Sequence, residues 1–309
     1  MIKGPHPADL ARLAVLGGGV GRSLLYTRGT ASQTSGAWQV LLKSLTRDVV
    51  LRRRACTLVA AAPLHLRGLA SSRRLAGPLS WEIDYFSYAR HPGGGASELL
   101  SAMAEAVSTR GGRTLFARIP SEDPFSDEAR RGGFFPSHRE TLMESSSPRV
   151  LNQGHLGLEP VRAGDMMGLF RLYCASTPAE VRVHHGMTLE LWQSSREPTS
   201  RGTEEWLLPG VGTVRGWVRL DRHGGKGGID IMVRPEEEVE ITGPLLDFGV
   251  SRLSGVRAVY LLVPEYKTLL GRLAAQRGYR PSNEFTVLVR PLAARERVEE
   301  AVRMTAASR

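Results

Sequence analysis

The sequence predicts a mixed α/β (α+β) fold built as two tandem halves, and three observations carry that prediction. Segments with strand-like alternation and segments with a 3.6-residue apolar period follow one another along the chain. Their order repeats: Gly133-Phe134-Phe135-Pro136-Ser137-His138-Arg139-Glu140-Thr141 returns as Gly278-Tyr279-Arg280-Pro281-Ser282-Asn283-Glu284-Phe285-Thr286, 145 residues on, and the apolar run 114–120 matches 258–264 at an offset of 144. The third is length, since 309 residues exceed the roughly 100–200 of one ordinary domain. A small, polar, turn-forming stretch from Ser145 to Gly154 separates the halves, which gives expected domains of 1–148 and 155–309.

Taken in order, a first helix is expected before the glycines at 17–19, and residues 55–60 read as a strand. Residues 81–89 (WEIDYFSYA) are β-rich and partly alternating, a turn follows at 91–95, and 97–109 form a helix. Leu99, Leu100, Met103, Ala104 and Val107 give that helix one apolar face, and Gly111-Gly112 stops it. A strand at 114–119, a short helix at 124–131 ended by Gly132-Gly133, and extended chain at 134–143 complete the half. The second half opens with a helix at 165–173, with Met166, Leu169, Phe170 and Tyr173 on one face, and a strand at 214–220. Strands at 228–233 and 258–263, helices at 244–253 and 266–276, and a last strand at 279–291 follow.

Composition narrows the classes. With 41% hydrophobic and 23% charged residues, the chain is neither disordered nor fibrous, and no apolar run approaches the roughly 18–20 residues of a membrane span. Cys56 and Cys174 are isolated, which argues against a disulfide framework or a metal cluster, so a soluble protein of the reducing cytoplasm is expected. The net charge of +10 is uneven: residues 1–150 hold 20 Lys/Arg against 12 Asp/Glu, and residues 151–309 hold 21 against 19. A basic first half attracts anions such as a phosphorylated cofactor. Lys3, Lys43, Lys226 and Lys267 are the only lysines, however, so a general bias toward arginine explains the same numbers, and nucleic acid is not expected as a partner.

The chemistry concentrates in Arg90-His91-Pro92-Gly93-Gly94-Gly95-Ala96, between a strand and a helix. Glycines let backbone N–H groups turn toward phosphate oxygens, and the positive end of the next helix favours negative charge. A plain flexible turn accounts for the same residues. The glycines at 17–21 fail the dinucleotide pattern because Arg22 holds its last site, and no Gly-Lys-Ser/Thr occurs for a P-loop. His184-His185 and Asp221-Arg222-His223 suggest metal, but adjacent histidines on extended chain point to opposite faces and no third ligand is suitably spaced. Arg52-Arg53-Arg54 reads as a solvated edge. No serine or cysteine nucleophile motif is present.

The order strand, glycine loop, helix, strand, helix, ending in Gly-Phe, resembles the GNAT superfamily of acyl-CoA-dependent N-acetyltransferases, whose phosphate-loop pattern is Gln/Arg-x-x-Gly-x-Gly/Ala. The resemblance covers residues 8–145 and, in outline, 156–292, so the chain is similar to a tandem GNAT protein. It implies two mixed, mostly antiparallel sheets flanked by helices, and acetyl-CoA as co-substrate. The pyrophosphate would rest on Gly93, Gly94, Gly95 and Ala96 beside Arg90 and His91, with the loop frame ending at either Gly95 or Ala96. The pantetheine arm would run along 86–89, past Phe86 and Tyr88, to a point where two parallel strands splay apart. Glu82 and Asp84, two apart and so on one face, are the expected candidates for taking the amine's proton. The acceptor would be a small-molecule or peptide amine.

The departures are also specific. The family commonly places a general-acid Tyr four residues before the Gly of Gly-Phe, where this chain has Ala129 and Ala274. The second half carries Arg234-Pro235-Glu236-Glu237-Glu238-Val239-Glu240 in place of glycines, and clustered carboxylates repel a pyrophosphate, so no CoA is expected there. An acetyltransferase with a degenerate second half is the leading expectation. The alternative is a noncatalytic acyl-CoA sensor or interaction module, distinguished by a plug rather than an open cleft between strands 81–89 and 114–119.

Overall fold

The computed structural model describes residues 1–15, 23–28, 37–50, 54–62, 66–89, 95–151 and 156–293. The glycine turn at 16–22, Arg52 and Arg53, and Arg90, His91, Pro92, Gly93 and Gly94 of the expected phosphate loop lie outside them. In chain order the elements of the first half are β1 (Ile2–Lys3), α1 (Pro7–Val15), α2 (Ala37–Val50), β2 (Ala55–Ala61), β3 (Leu66–Arg74), β4 (Ser80–Tyr88), α3 (Ala96–Ser108), β5 (Thr114–Pro120), α4 (Phe125–Arg131) and β6 (Phe135–Ser145). Those of the second are β7 (Glu159–Pro160), α5 (Met166–Ser176), α6 (Ala179–His185), α7 (Leu189–Ser195), β8 (Thr203–Gly210), β9 (Thr213–His223), β10 (Lys226–Val233), α8 (Glu238–Arg252), β11 (Ala258–Pro264), α9 (Thr268–Gln276) and β12 (Arg280–Pro291).

All twelve strands join one mixed sheet, in the order β1-β2-β3-β4-β5-β12-β6-β11-β10-β9-β8-β7. Only β4/β5 and β10/β11 pair in parallel among the described strands. The closing strands are exchanged: β12, from the end of the second half, lies between β5 and β6, and β6 pairs on its other side with β11.

The repeat is visible in detail where each short helix gives way to the closing strand. Gly133 (φ 78°) and Gly278 (φ 84°) both take the left-handed conformation that glycine adopts without strain. The next residue turns back in each case, Phe134 N–H donating to Ala129 C=O and Tyr279 N–H to Ala274 C=O. Both aromatic side chains are buried, as are Ala129 and Ala274. The alanines that stand where a general-acid Tyr was expected are therefore core positions.

Two apolar cores lie under the helices on one face. Leu99, Leu100 and Met103 of α3 pack on Trp81, Ile83 and Phe86, and Leu245 and Leu246 of α8 pack on Val218, Leu220 and Ile229. Fully burying each such side chain contributes about 1.5–3 kcal/mol. The other face is covered by α2 over Tyr85, Leu69 and Val59, and by α5 and α7 over Trp217 and Met232. There α7 also clamps the start of β4, because Ser194 Oγ accepts from the N–H groups of Leu79 (2.9 Å) and Ser80 (3.0 Å).

Two segments differ in kind from the sequence expectation. The helix expected from 244 is α8, which starts at Glu238 and carries Pro244 inside it. Glu238 and Glu240 sit in its first turn, where carboxylates are favoured by the helix dipole, so acidic residues that read as a loop begin a helix. His184 and His185 end the helix α6 rather than an extended segment.

Candidate active site

Where β4 meets β5 the parallel ladder has three rungs, Ser80↔Thr114, Trp81↔Leu115 and Glu82↔Phe116, and then stops although both strands run on. A bulge lies just past the last rung. Ser71 pairs with Tyr85 and Ser72 with Ile83, so Asp84 is the extra residue. The bulge resets the alternation: Trp81, Ile83 and then Phe86 face the core under α3, while Glu82 and Asp84 line a cavity of about 780 Å³ on the opposite face. The expectation that the two carboxylates share a face is met. Both halves line that cavity, with Arg28, Arg73 and Arg118 from the first and Tyr173, His185 and Asp230 from the second.

The opening between β4 and β5 is filled by the chain itself. Leu24 N–H donates to Phe86 C=O (2.7 Å), Phe86 N–H to Ser23 Oγ (3.1 Å), and Tyr26 N–H to Arg118 C=O (2.9 Å). Leu25 is 1% exposed and belongs to the core that contains Phe86 and Ile119. On the expected path of a pantetheine arm along 86–89, both backbone groups of Phe86 are taken by this segment. Phe86 itself is fully buried, its ring 4.9 Å from that of Phe125.

Of the expected phosphate loop, Gly95 and Ala96 are described. Gly95 has φ 118°, and a Cβ on it would lie 2.0 Å from the Tyr88 hydroxyl, so glycine is required both by the backbone and by that neighbour. Ala96 opens α3 with its methyl in the core.

Across the cavity wall runs a line of alternating charges that no local motif announces. Arg73 holds Glu197 (2.8 Å) and Glu82 (2.6 Å); Arg118 holds Glu82 (2.9 Å) and Glu140 (2.9 Å); Arg28 holds Glu140 (3.3 Å) and Asp230. Glu82, Arg118 and Glu140 are each at least nine-tenths buried. Burial and the nearby Glu197 carboxylate raise the Glu82 pKa against the pull of Arg73 and Arg118. Burial acts the same way on Glu140, but Arg118 and Arg28 outweigh it and hold that carboxyl well below the usual range. Asp230 is lowered by Arg28 and Lys267 despite burial, and burial lowers Lys267.

His185 sits at the end of α6 with its ring 4.7 Å from Phe116, the residue paired with Glu82 in the last rung, and 5.3 Å from His138. Its Nε2 is buried without a hydrogen-bond partner. Burial, then His138, Arg28 and Arg118, push its pKa well below the ordinary imidazole value against the opposing Glu140. Its ring, held toward the neutral form, lines the cavity, a placement the sequence did not suggest. An unfolded imidazole titrates near ~6.5, so below that pH the unfolded chain binds more protons than the folded one and stability falls as pH falls. His185→Gln is expected to flatten this part of the stability profile, measured by urea unfolding at about pH 7.5 and about pH 5.5. An unchanged slope would contradict the neutral assignment.

Among the described residues, no group of three or more His, Cys, Asp or Glu is placed to hold a metal ion, and no helix is long and apolar enough to cross a membrane.

Comparison with solved structures decides the architecture. The fold is that of the GCN5-related N-acetyltransferases. A GNAT protein from Sphaerobacter thermophilus superposes with a TM-score of 0.56 at 17% identity, covering 95% of this chain and 96% of its own. A Pyrococcus horikoshii protein assigned as an acetyltransferase gives 0.50 at 14%, covering 97% and 92%. A tandem GNAT protein of the clavulanic acid biosynthesis pathway gives 0.47 at 15%, covering 78% and 84%. A scan against protein-family models and a search of curated proteins return no match.

Proposed function

We propose that the chain is an acyl-CoA-dependent N-acetyltransferase in which the first half, 1–148, takes acetyl-CoA and both halves form the acceptor site. The observation that carries this reading is the position of the β4/β5 opening, which leads onto the 780 Å³ cavity beside Glu82 and Asp84. Amide formation requires a neutral amine, so an ammonium first loses a proton; the C–N bond then forms at the acetyl carbonyl, a second proton passes to a base, and the C–S bond breaks with CoA leaving as the thiolate. Glu82 is bound to two guanidiniums and serves to fix them. We assign the proton to Asp84 on the bulge, with His185 as a second acceptor supplied by the other half. The residues 90–96 would hold the pyrophosphate, while the carboxylates of Glu236, Glu237, Glu238 and Glu240 disfavour a second CoA. The acceptor is a small-molecule or peptide amine.

The filled opening favours a second reading, a noncatalytic binding module, because Ser23–Arg28 must withdraw before pantetheine can use Phe86. Calorimetric titration of acetyl-CoA separates the acetyltransferase from a module that binds no acyl-CoA, and turnover with an amine acceptor separates it from an acyl-CoA sensor. Micromolar binding that is lost in a folded Gly93→Glu/Gly94→Glu variant is the expected result. No binding by the folded wild type, nor by a variant with a loosened Ser23–Arg28 segment, would leave the binding-module reading standing.

A further inference from the structure

The segment that fills the opening carries Arg28, and Arg28 occupies a site of its own. Its guanidinium bridges Glu140 on β6 and Asp230 on β10, strands that belong to different halves of the sequence. When Arg28 leaves, Glu140 keeps Arg118 but Asp230 loses its guanidinium partner, so the space between the two carboxylates is left without its bridging cation. A second observation points into the same cavity: Tyr173 lines it, is 7% exposed, and its hydroxyl has no hydrogen-bond partner. A buried hydroxyl without a partner is unfavourable, and a ligand carrying a polar group would relieve it.

We propose that Ser23–Arg28 is a built-in substitute for substrate: its backbone takes the Phe86 edge, and Arg28 sits where the cationic head of the acceptor binds between Glu140 and Asp230. The acceptor is then a primary ammonium or guanidinium compound rather than a neutral or anionic amine derivative. This rests on the acetyltransferase reading for the groove, but not for the cation seat. Binding of a cation between Glu140 and Asp230 competes with Arg28, frees the segment and opens Phe86 to acyl-CoA, so acceptor and donor assist each other.

The cation seat is tested without turnover. Arg28→Ala is expected to lower the thermal midpoint and to regain much of the loss on addition of methylguanidinium or propylammonium, with no recovery by neutral propanol. The wild type, whose seat Arg28 already fills, should gain much less from the same concentrations. No recovery by the cations, or an equal shift in the wild type, overturns the seat. Should Arg28→Ala fail to fold, Arg28→Gln is used with the same additives. The groove is tested by titrating acetyl-CoA into wild type and Leu25→Gly. Removing the buried Leu25 should raise the affinity by about tenfold, because more of the protein is then open. Equal affinity overturns the substitute role of the backbone. Cation rescue with no acetyl-CoA binding by any variant sinks the acetyltransferase reading while the cation seat stands.

Discussion

A fragment ending at Pro148 is expected to be unfolded, although it contains every element of the first repeat. In the intact sheet β12 supplies the neighbour of β5 through pairs such as Phe285↔Pro120 and Val289↔Phe116, and of β6 through Phe285↔Glu140 and Val287↔His138. Phe285, Val287 and Val289 are 1%, 2% and 0% exposed, so their absence uncovers the inner face of β5 and β6 as well as two strand edges. At about 1.5–3 kcal/mol per buried side chain, the loss exceeds what a half-size domain can spare. Circular dichroism and amide exchange on residues 1–148 would check this. Cooperative unfolding with protected amides in β5 and β6 would show that the halves are autonomous.

Glu140→Ala should be the most destabilising single substitution at the site. It removes the shared partner of Arg118 and Arg28, both drawn to Glu140 across strands, and of His138. Arg118 is 5% exposed, so its guanidinium would keep only Glu82 in a poorly solvated place. Breaking one partner out of a buried pair costs about 3–5 kcal/mol, measured as a shift in the urea midpoint. A change under about 1 kcal/mol would mean that water reaches the network. Because the Glu140 pKa is held below its unfolded value, its contribution is fully present above the usual carboxylate range and is lost as pH falls through the lower folded value. Glu140→Gln should therefore level the acid limb of the stability profile as well as lower it.

What the sequence revealed follows the range of each interaction. The alternation in 81–89 places Glu82 and Asp84 on one face, and the Gly-aromatic pairs at 133 and 278 mark equivalent turns. The bulge at Asp84 is not legible, because it depends on how β3 registers against β4. Nor does the repeat say which ladder a closing strand joins: β6 and β12 carry the same pattern, and each fits beside the other. Arg28, Glu140 and Asp230 lie far apart in sequence, so nothing in their spacing announces a shared site. The helix that carries His185 is hidden for a local reason, since the seven residues of α6 are too few to show a helical period.

The exchange of closing strands also fixes an order of events during synthesis. When β6 leaves the ribosome, its partners β11 and β12 do not yet exist, and everything from Ser146 to Tyr279 must be made before β12 can enter between β5 and β6. At roughly 5–20 residues per second that interval is on the order of ten seconds, during which apolar strand edges stay uncovered. Pairings of such long sequence separation also close slowly. Slowing translation between the two repeats should therefore increase aggregation of the nascent chain rather than relieve it.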